Sequence, residues 1–161
     1  MSKYRAAAVT VSNSASAGTA PDGSGEILVE RLTTLGFDVV RREVIPDGVE
    51  SVASTLRDLV SNVDLIVTTG GTGLSPTDLT PEGTLAVIDR RVPGLSEAMR
   101  ADTFGKIPFG MLSRGVSGIA GTCLIVNLPG SPKAVAEGFD VIGGVLDHAV
   151  AIASGDFGRH D

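Results

Sequence analysis

The 161-residue chain predicts an α/β sandwich whose mostly parallel sheet is covered by helices on both faces. Three observations carry this expectation. Short, nearly continuous apolar runs at residues 6–11, 64–69 and 123–128 read as strands buried on both sides. Between them, apolar residues recur at three-and-four spacing, the mark of helices with one buried face. Glycine and proline punctuate the boundaries. The length fits one core, since chains of about 100–200 residues normally make one domain, and here that domain is expected to span residues 1–161.

The elements follow in order. The run 6–11 ends in Ser12, Asn13 and Ser14, a buried strand leading into a polar loop. Residues 18–25 hold Pro21, Asp22, Gly23 and Ser24 and form a loop; Leu28, Leu32 and Leu35 then mark a helix that Gly36 stops. Residues 37–45 mix Val39, Val40, Val44 and Ile45 with charges, a second strand closed by Pro46, Asp47 and Gly48. Val49, Val52, Ala53, Leu56, Leu59 and Val60 make the next helical stripe, before the strand at 64–69. Thr80 and Pro81 resemble a cap and a first-turn proline, predicting a helix over 81–91, and another runs from Pro93 to about Phe104. Between Ser113 and Leu128, two β-prone stretches flank Gly121 as a hairpin or a bent strand pair. Residues 129–132 turn the chain into a long closing helix carrying Val135, Phe139, Ile142, Leu146, Ala149 and Ala153.

Composition narrows the function classes. With 13 Lys+Arg against 19 Asp+Glu the formal net charge is -6, opposite to the basic footprint of nucleic-acid binding. No apolar run is long enough for a membrane span and the first residues lack a signal-peptide pattern, so a soluble cytoplasmic protein is expected. The one cysteine, Cys123, lies in an apolar run and reads as a small buried hydrophobe. His148 and His160 have no metal-ligand spacing, and no Ser/His/Asp or Cys/His order suggests a covalent nucleophile. Glycine supplies 21 residues, about twice its ordinary share of roughly 7%, which marks tight turns and close approaches of backbone to ligand.

In open parallel sheets, ligands collect beyond the carboxyl ends of strands. Three loops qualify. After the strand at 64–69 comes Gly70-Gly71-Thr72-Gly73, whose missing side chains either serve a tight turn or let backbone N–H groups face an anion, a phosphate loop without a Walker lysine. Asp47 and Asp78 fall on the same sheet edge, where each is either turn chemistry or, beside the glycine loop, half of a carboxylate pair for a Mg²⁺-nucleotide complex. The third loop, Asn127-Leu128-Pro129-Gly130-Ser131-Pro132-Lys133, is either a strand-to-helix turn or a second anion site with Lys133 as counter-charge. Ser113 and Arg114 add a hydroxyl and a guanidinium suited to polar substrate groups, against the alternative of a surface arginine.

Five motifs in these positions, IPD at 45–47, TTGGTG at 68–73, PTDLTPE at 76–82, GMLSR at 110–114 and NLPGSPK at 127–133, together resemble the molybdopterin adenylyltransferases. That family includes MogA-type bacterial enzymes and the gephyrin G domain, and the resemblance covers nearly the whole chain. It implies a three-layer α/β/α sandwich, a homotrimer, and a step of molybdenum-cofactor biosynthesis in which ATP and molybdopterin give adenylylated molybdopterin and pyrophosphate with Mg²⁺. Hand-over to the molybdenum-insertion enzyme of the pathway is a further implication. By matching position, the family's essential aspartates, with the metal, fall on Asp47 and Asp78. The substrate and nucleotide loops fall on Thr69, Gly70, Gly71, Thr72 and Gly73 and on Asn127, Pro129, Gly130 and Ser131. Ser113 stands on the pterin side, Arg114 is among the substrate- or nucleotide-binding residues, and Asp22 lies near the nucleotide. One departure is visible: many relatives carry an acid where this chain has Asn13. Two alternatives stay open, a MoaB-type molybdopterin- or nucleotide-binding protein and a trimeric scaffold, both without adenylyl transfer.

Overall fold

A computed structural model describes residues 4–156; His160 lies outside them. The chain runs β1 (Arg5–Val11), a single turn α1 (Asn13–Ser16), α2 (Gly23–Thr34), β2 (Asp38–Ile45), α3 (Val49–Leu59), β3 (Leu65–Thr69), α4 (Thr80–Leu85), β4 (Arg90–Arg91), α5 (Pro93–Asp102), a 3-10 turn (Pro108–Leu112), β5 (Ser117–Ala120), β6 (Cys123–Leu128) and α6 (Pro132–Ala153). Among the described residues six strands form one sheet in the order β2-β1-β3-β6-β5-β4. The first four are mutually parallel, with Ala6 opposite Leu65 and Leu65 opposite Leu124; β5 runs antiparallel to β6, and β4 antiparallel to β5.

Strand alternation divides the core into two layers. Ala6 and Ala8 of β1, Leu65 and Val67 of β3, and Leu124 and Val126 of β6 face α2 and α6, where they meet Leu28, Leu32, Phe139, Ile142 and Leu146. The intervening residues Ala7, Val9, Ile66 and Ile125 face Val52, Leu56 and Leu59 of α3. Helices on both faces explain why these strands read as unbroken apolar runs. Each fully buried Leu or Ile contributes about 1.5–3 kcal/mol, and these side chains are shared between the central strands and the helices packed on them. Cys123 is in this core as expected; burial pushes its thiol up to about 12, with the Asp64 charge adding to the effect, so it is no nucleophile at neutral pH.

The middle of the chain departs from expectation at α4: Thr80, expected as its cap, is its first residue, preceded by Leu79 with no side-chain cap, because the Thr80 hydroxyl is turned to the Gly70 carbonyl. The helix expected over 81–91 ends at Leu85, because Val87 and Ile88 turn into the α3-side core and Arg90–Arg91 pair with β5 instead. Asp89 secures that pairing through its N–H to the Ile119 carbonyl (2.7 Å) and its carboxylate to the Gly121 N–H (2.7 Å). Residues 113–128 resolve into a hairpin: Ala120 faces Cys123 across a two-residue turn, and the positive φ of Gly121 (62°) is what its first position demands. Among the described residues no helix is long and apolar enough to cross a membrane.

The topology positions the site. From β1 the chain passes to β2 on one side and then, through α3, to β3 on the other, so the carboxyl ends of β1 and β3 flank a switch point. The end of β6 lies beside β3 and brings the Pro129 loop to the same edge.

Candidate functional site

Three strand ends are drawn together by glycine and hydroxyl contacts. Gly70, at φ 95°, packs so closely on the Val11 carbonyl of β1 that a Cβ would overlap it, while its N–H reaches the Leu128 carbonyl of β6 at 3.1 Å. Thr69 donates its hydroxyl to the Pro129 carbonyl (2.6 Å), Ser24 donates to the Gly130 carbonyl (2.5 Å), and Thr80 donates to the Gly70 carbonyl (2.9 Å). Gly71, at φ 67°, leaves room for the Thr80 hydroxyl and for Asp47. These contacts use carbonyls and leave N–H groups over. Among the described residues, the N–H groups of Gly71, Thr72, Gly73, Gly130 and Ser131 donate to no protein acceptor. The N-terminus of the 22-residue α6, capped by Ser131 through Ala134 N–H (3.1 Å), adds its dipole at the same point. Unpaired amides at a helix start favour an anionic oxygen.

Asp47 and Asp78 stand on either side of this loop, and a Cβ on Gly71 or Gly73 would come within 3.2 Å of Asp47 Oδ1 or 2.8 Å of Asp78 Oδ2. Each carboxylate spends one oxygen on a backbone N–H: Asp47 Oδ2 accepts from Asn13 (3.2 Å) and Asp78 Oδ2 from Ser75 (3.0 Å). Asn13 returns the contact, its Oδ1 accepting the Asp47 N–H at 2.9 Å. Asn13 is thus a clasp that orients Asp47. Among the described residues no three His, Cys, Asp or Glu side chains gather to cage a metal. The Asp47 and Asp78 carboxylates could instead supply part of the shell of a divalent cation whose other ligands come from water or substrate.

Other expected site residues also carry structural contacts. Arg114 lines neither cavity described below: its guanidinium donates to the Gly73 carbonyl (2.8 Å), the Asp78 carbonyl (2.6 Å) and both oxygens of Glu82 (2.8 and 3.2 Å), and its own N–H meets the Thr72 carbonyl at 2.8 Å. It holds the glycine loop and Asp78 against α4. The Arg114 hydrogen bonds keep the Glu82 carboxyl below its ordinary 4.5, against the opposing effect of desolvation. The clasp is therefore complete at neutral pH and weakens as acid protonates Glu82 below that value. Arg114→Lys keeps the charge but loses the fork. With two backbone bonds gone at about 1 kcal/mol each, Tm is expected to fall by roughly 4–8 °C in a thermal melt.

Asn127, 1% exposed, donates to the Thr68 and Thr84 hydroxyls (3.0 Å each) and accepts the Val116 N–H (3.2 Å), locking β6 to β3, α4 and the approach to β5. Asp22 caps α2 through the Gly25 N–H (3.0 Å) and pairs with Arg42 (3.0 Å), yet still borders a cavity. Ser113 borders the other cavity, its backbone held by Arg100.

Two cavities adjoin along this edge. The smaller, about 300 Å³, is polar and bounded by Thr10, Ser12, Asp22, Asp47, Gly70 and Ser24. The larger, about 660 Å³, has an apolar flank of Leu74, Met99, Ile107, Phe109 and Leu112, with Ser113 and Lys133 on its wall. Gly71, Asp78 and Gly130 line both. The expected loops and the Asp47–Asp78 pair are thus brought together at one seam. Thr10, Asn13 and Glu82 were not expected there; a threonine in an apolar run and a lone asparagine or glutamate carry no signal of a site.

A mostly parallel sheet with two cavities meeting at its switch point, beside unpaired amides, is the architecture of an α/β domain that takes its ligand at the carboxyl edge. The chain belongs to the molybdenum-cofactor-biosynthesis family described as "Probable molybdopterin binding domain", which matches residues 7–148. The molybdopterin adenylyltransferase of Escherichia coli K12 is 39% identical over 159 residues, covering 93% of this chain and 81% of that protein. The molybdenum cofactor synthesis protein cinnamon of Drosophila melanogaster is 39% identical over 138 residues; they make up 84% of this chain but 23% of the fly protein. The crystal structure of the molybdopterin biosynthesis enzyme MoaB of Thermus thermophilus superposes with TM-score 0.89 at 41% identity, covering 94% of this chain and 97% of that one.

Proposed function

We propose that this chain is a molybdopterin adenylyltransferase: it joins the terminal phosphate of molybdopterin to the α-phosphorus of ATP and releases pyrophosphate. The observation that carries the reading is the seam, where two cavities of unlike polarity share Gly71, Asp78 and Gly130 beside five unpaired N–H groups. A two-substrate transfer between phosphates needs that arrangement. The apolar flank of the larger cavity suits the pterin ring system, and the smaller, polar one suits the nucleotide. The E. coli relative bears the name of this activity, which supports the reading.

In this mechanism an oxygen of the pterin's phosphate monoester, already ionised at neutral pH, forms the new bond to the α-phosphorus. The bond to the β-phosphate bridging oxygen breaks, and pyrophosphate leaves with the electron pair. No general base is needed. The amides of Gly71, Thr72 and Gly73 hold one phosphate and those of Gly130 and Ser131 the other, which sets the reacting atoms in line and neutralises charge without reorganisation. Asp47 and Asp78 would hold Mg²⁺ brought with ATP, which supplies charge neutralisation on the phosphates. A homotrimer, a cytoplasmic setting and hand-over of product to the molybdenum-insertion enzyme belong to the same reading.

A MoaB-type protein that binds these ligands without transferring the adenylyl group is the second reading: the Thermus MoaB structure superposes with TM-score 0.89, as a MogA structure does at 47% identity. Anaerobic incubation with molybdopterin, ATP and Mg²⁺ separates the two. Adenylylated pterin and pyrophosphate in equal amounts are expected; folded protein that binds both ligands and forms neither product sinks the proposal in favour of the second reading.

A further inference from the structure

Thr10 lies one residue before the end of β1, is 5% exposed, and carries the one buried side-chain polar atom that lacks a hydrogen-bond partner among the described residues. A native structure rarely leaves a buried hydroxyl unpaired, and valine, of nearly the same shape, would fill the position without that cost. Strand stability alone therefore does not account for threonine here. The residue borders the smaller cavity, and its Oγ1 and the Asp22 Oδ2 lie against the same side of Gly25, where any Cβ would overlap both.

Beside Thr10 the cavity wall carries the Asp22 carboxylate, whose charge disfavours a phosphate oxygen at that point. Among the described residues the charged side chains lining the cavity are Asp22, Asp47 and Asp78, all acidic. Unpaired amides line the same cavity at Gly71 and Gly130. A neutral group that both donates and accepts fits between a carboxylate and a free hydroxyl: a sugar hydroxyl gives its proton to Asp22 and takes the proton of Thr10. Arg42, paired with Asp22 Oδ2 at 3.0 Å, orients that carboxylate for the task.

We infer that Thr10 is a nucleotide-binding residue whose hydroxyl, with Asp22, recognises a ribose hydroxyl of the bound nucleotide. The inference rests on the placement of the nucleotide in the smaller cavity under the proposed function, and it makes the sugar, rather than the phosphates, the part that β1 reads.

Calorimetric titration of wild type, Thr10→Val and Thr10→Ser with Mg²⁺-ATP and its 2′-deoxy and 3′-deoxy analogues, together with melting temperatures, tests it. Thr10→Val is expected to bind ATP about tenfold more weakly, to melt no lower than wild type, and to bind one deoxy analogue no worse than ATP. Wild type is expected to disfavour that same analogue by a similar factor, and Thr10→Ser to restore ATP binding. Undiminished ATP binding by Thr10→Val overturns the inference. So does an equal loss for ATP and both analogues, which would move the contact to phosphate or to hydrated metal. Wild type that binds no adenine nucleotide at all removes the parent proposal, and this one with it.

Discussion

Asp78→Asn is expected to lower turnover by about 10²–10³-fold while molybdopterin affinity stays within about twofold. The substitution preserves shape, and its amide oxygen can still accept the Ser75 N–H that Asp78 Oδ2 accepts at 3.0 Å, so the loop keeps its course. The Arg114 bond to the residue-78 carbonyl is also untouched, because it goes to the backbone. Only the negative charge at the seam of the two cavities is lost. That charge matters where a Mg²⁺-nucleotide complex must be held against the incoming phosphate, and much less for a pterin bound on the apolar flank. Steady-state kinetics with a separate molybdopterin titration provides the check: equal losses in kcat and affinity would reassign Asp78 to binding.

Gly70→Ala is expected to be the most damaging small substitution in the molecule. The residue sits at φ 95°, where a Cβ costs about 1–2 kcal/mol, and the added carbon would overlap the Val11 carbonyl. That carbonyl is backbone in a central strand and cannot swing aside as a side chain would, so overpacking adds about 1–3 kcal/mol more. A total near 3 kcal/mol lowers Tm by roughly 6–12 °C, and the shift separates the amides of the glycine loop from the Pro129 loop. Gly144→Ala is the matched control: it lies exposed within α6 with nothing near its Cβ position, and alanine should stabilise it by up to about 1 kcal/mol. A thermal melt in which both variants behave alike would contradict the close-approach account of Gly70.

The course of the central sheet was legible because strands covered on both faces must be apolar at every position, and β1, β3 and β6 obey that rule in the bare sequence. The start of α4 was legible from its first-turn proline, Pro81, although Thr80, read as the cap, is itself the first helical residue and gives its hydroxyl to the Gly70 carbonyl. The end of α4 was not, because what stops it is the pairing of Arg90 and Arg91 with β5, a contact made about 27 residues along the chain. The same division runs through the site. Glycines and acids after strands pointed to the loop edge, and the structure assembles Asp47, Asp78 and the two loops there. Whether a polar side chain serves a ligand or the fold is written only in its partners. Arg114, Asn127 and Asp22 look alike as candidates in the sequence, yet the first pins the loop, the second locks the strands, and the third divides itself between a helix cap and a cavity wall. Thr10 is the converse, a site candidate concealed by its β-branched shape in a run where threonine is an ordinary strand former.

The most direct test of adenylyl transfer at the seam is to follow radiolabel placed on either the α- or the γ-phosphorus of ATP through an anaerobic turnover with molybdopterin and Mg²⁺. The account predicts α-label on the pterin and γ-label in pyrophosphate. Transfer of γ-label to the pterin, or retention of both labels in ATP by protein that binds both substrates, would contradict it.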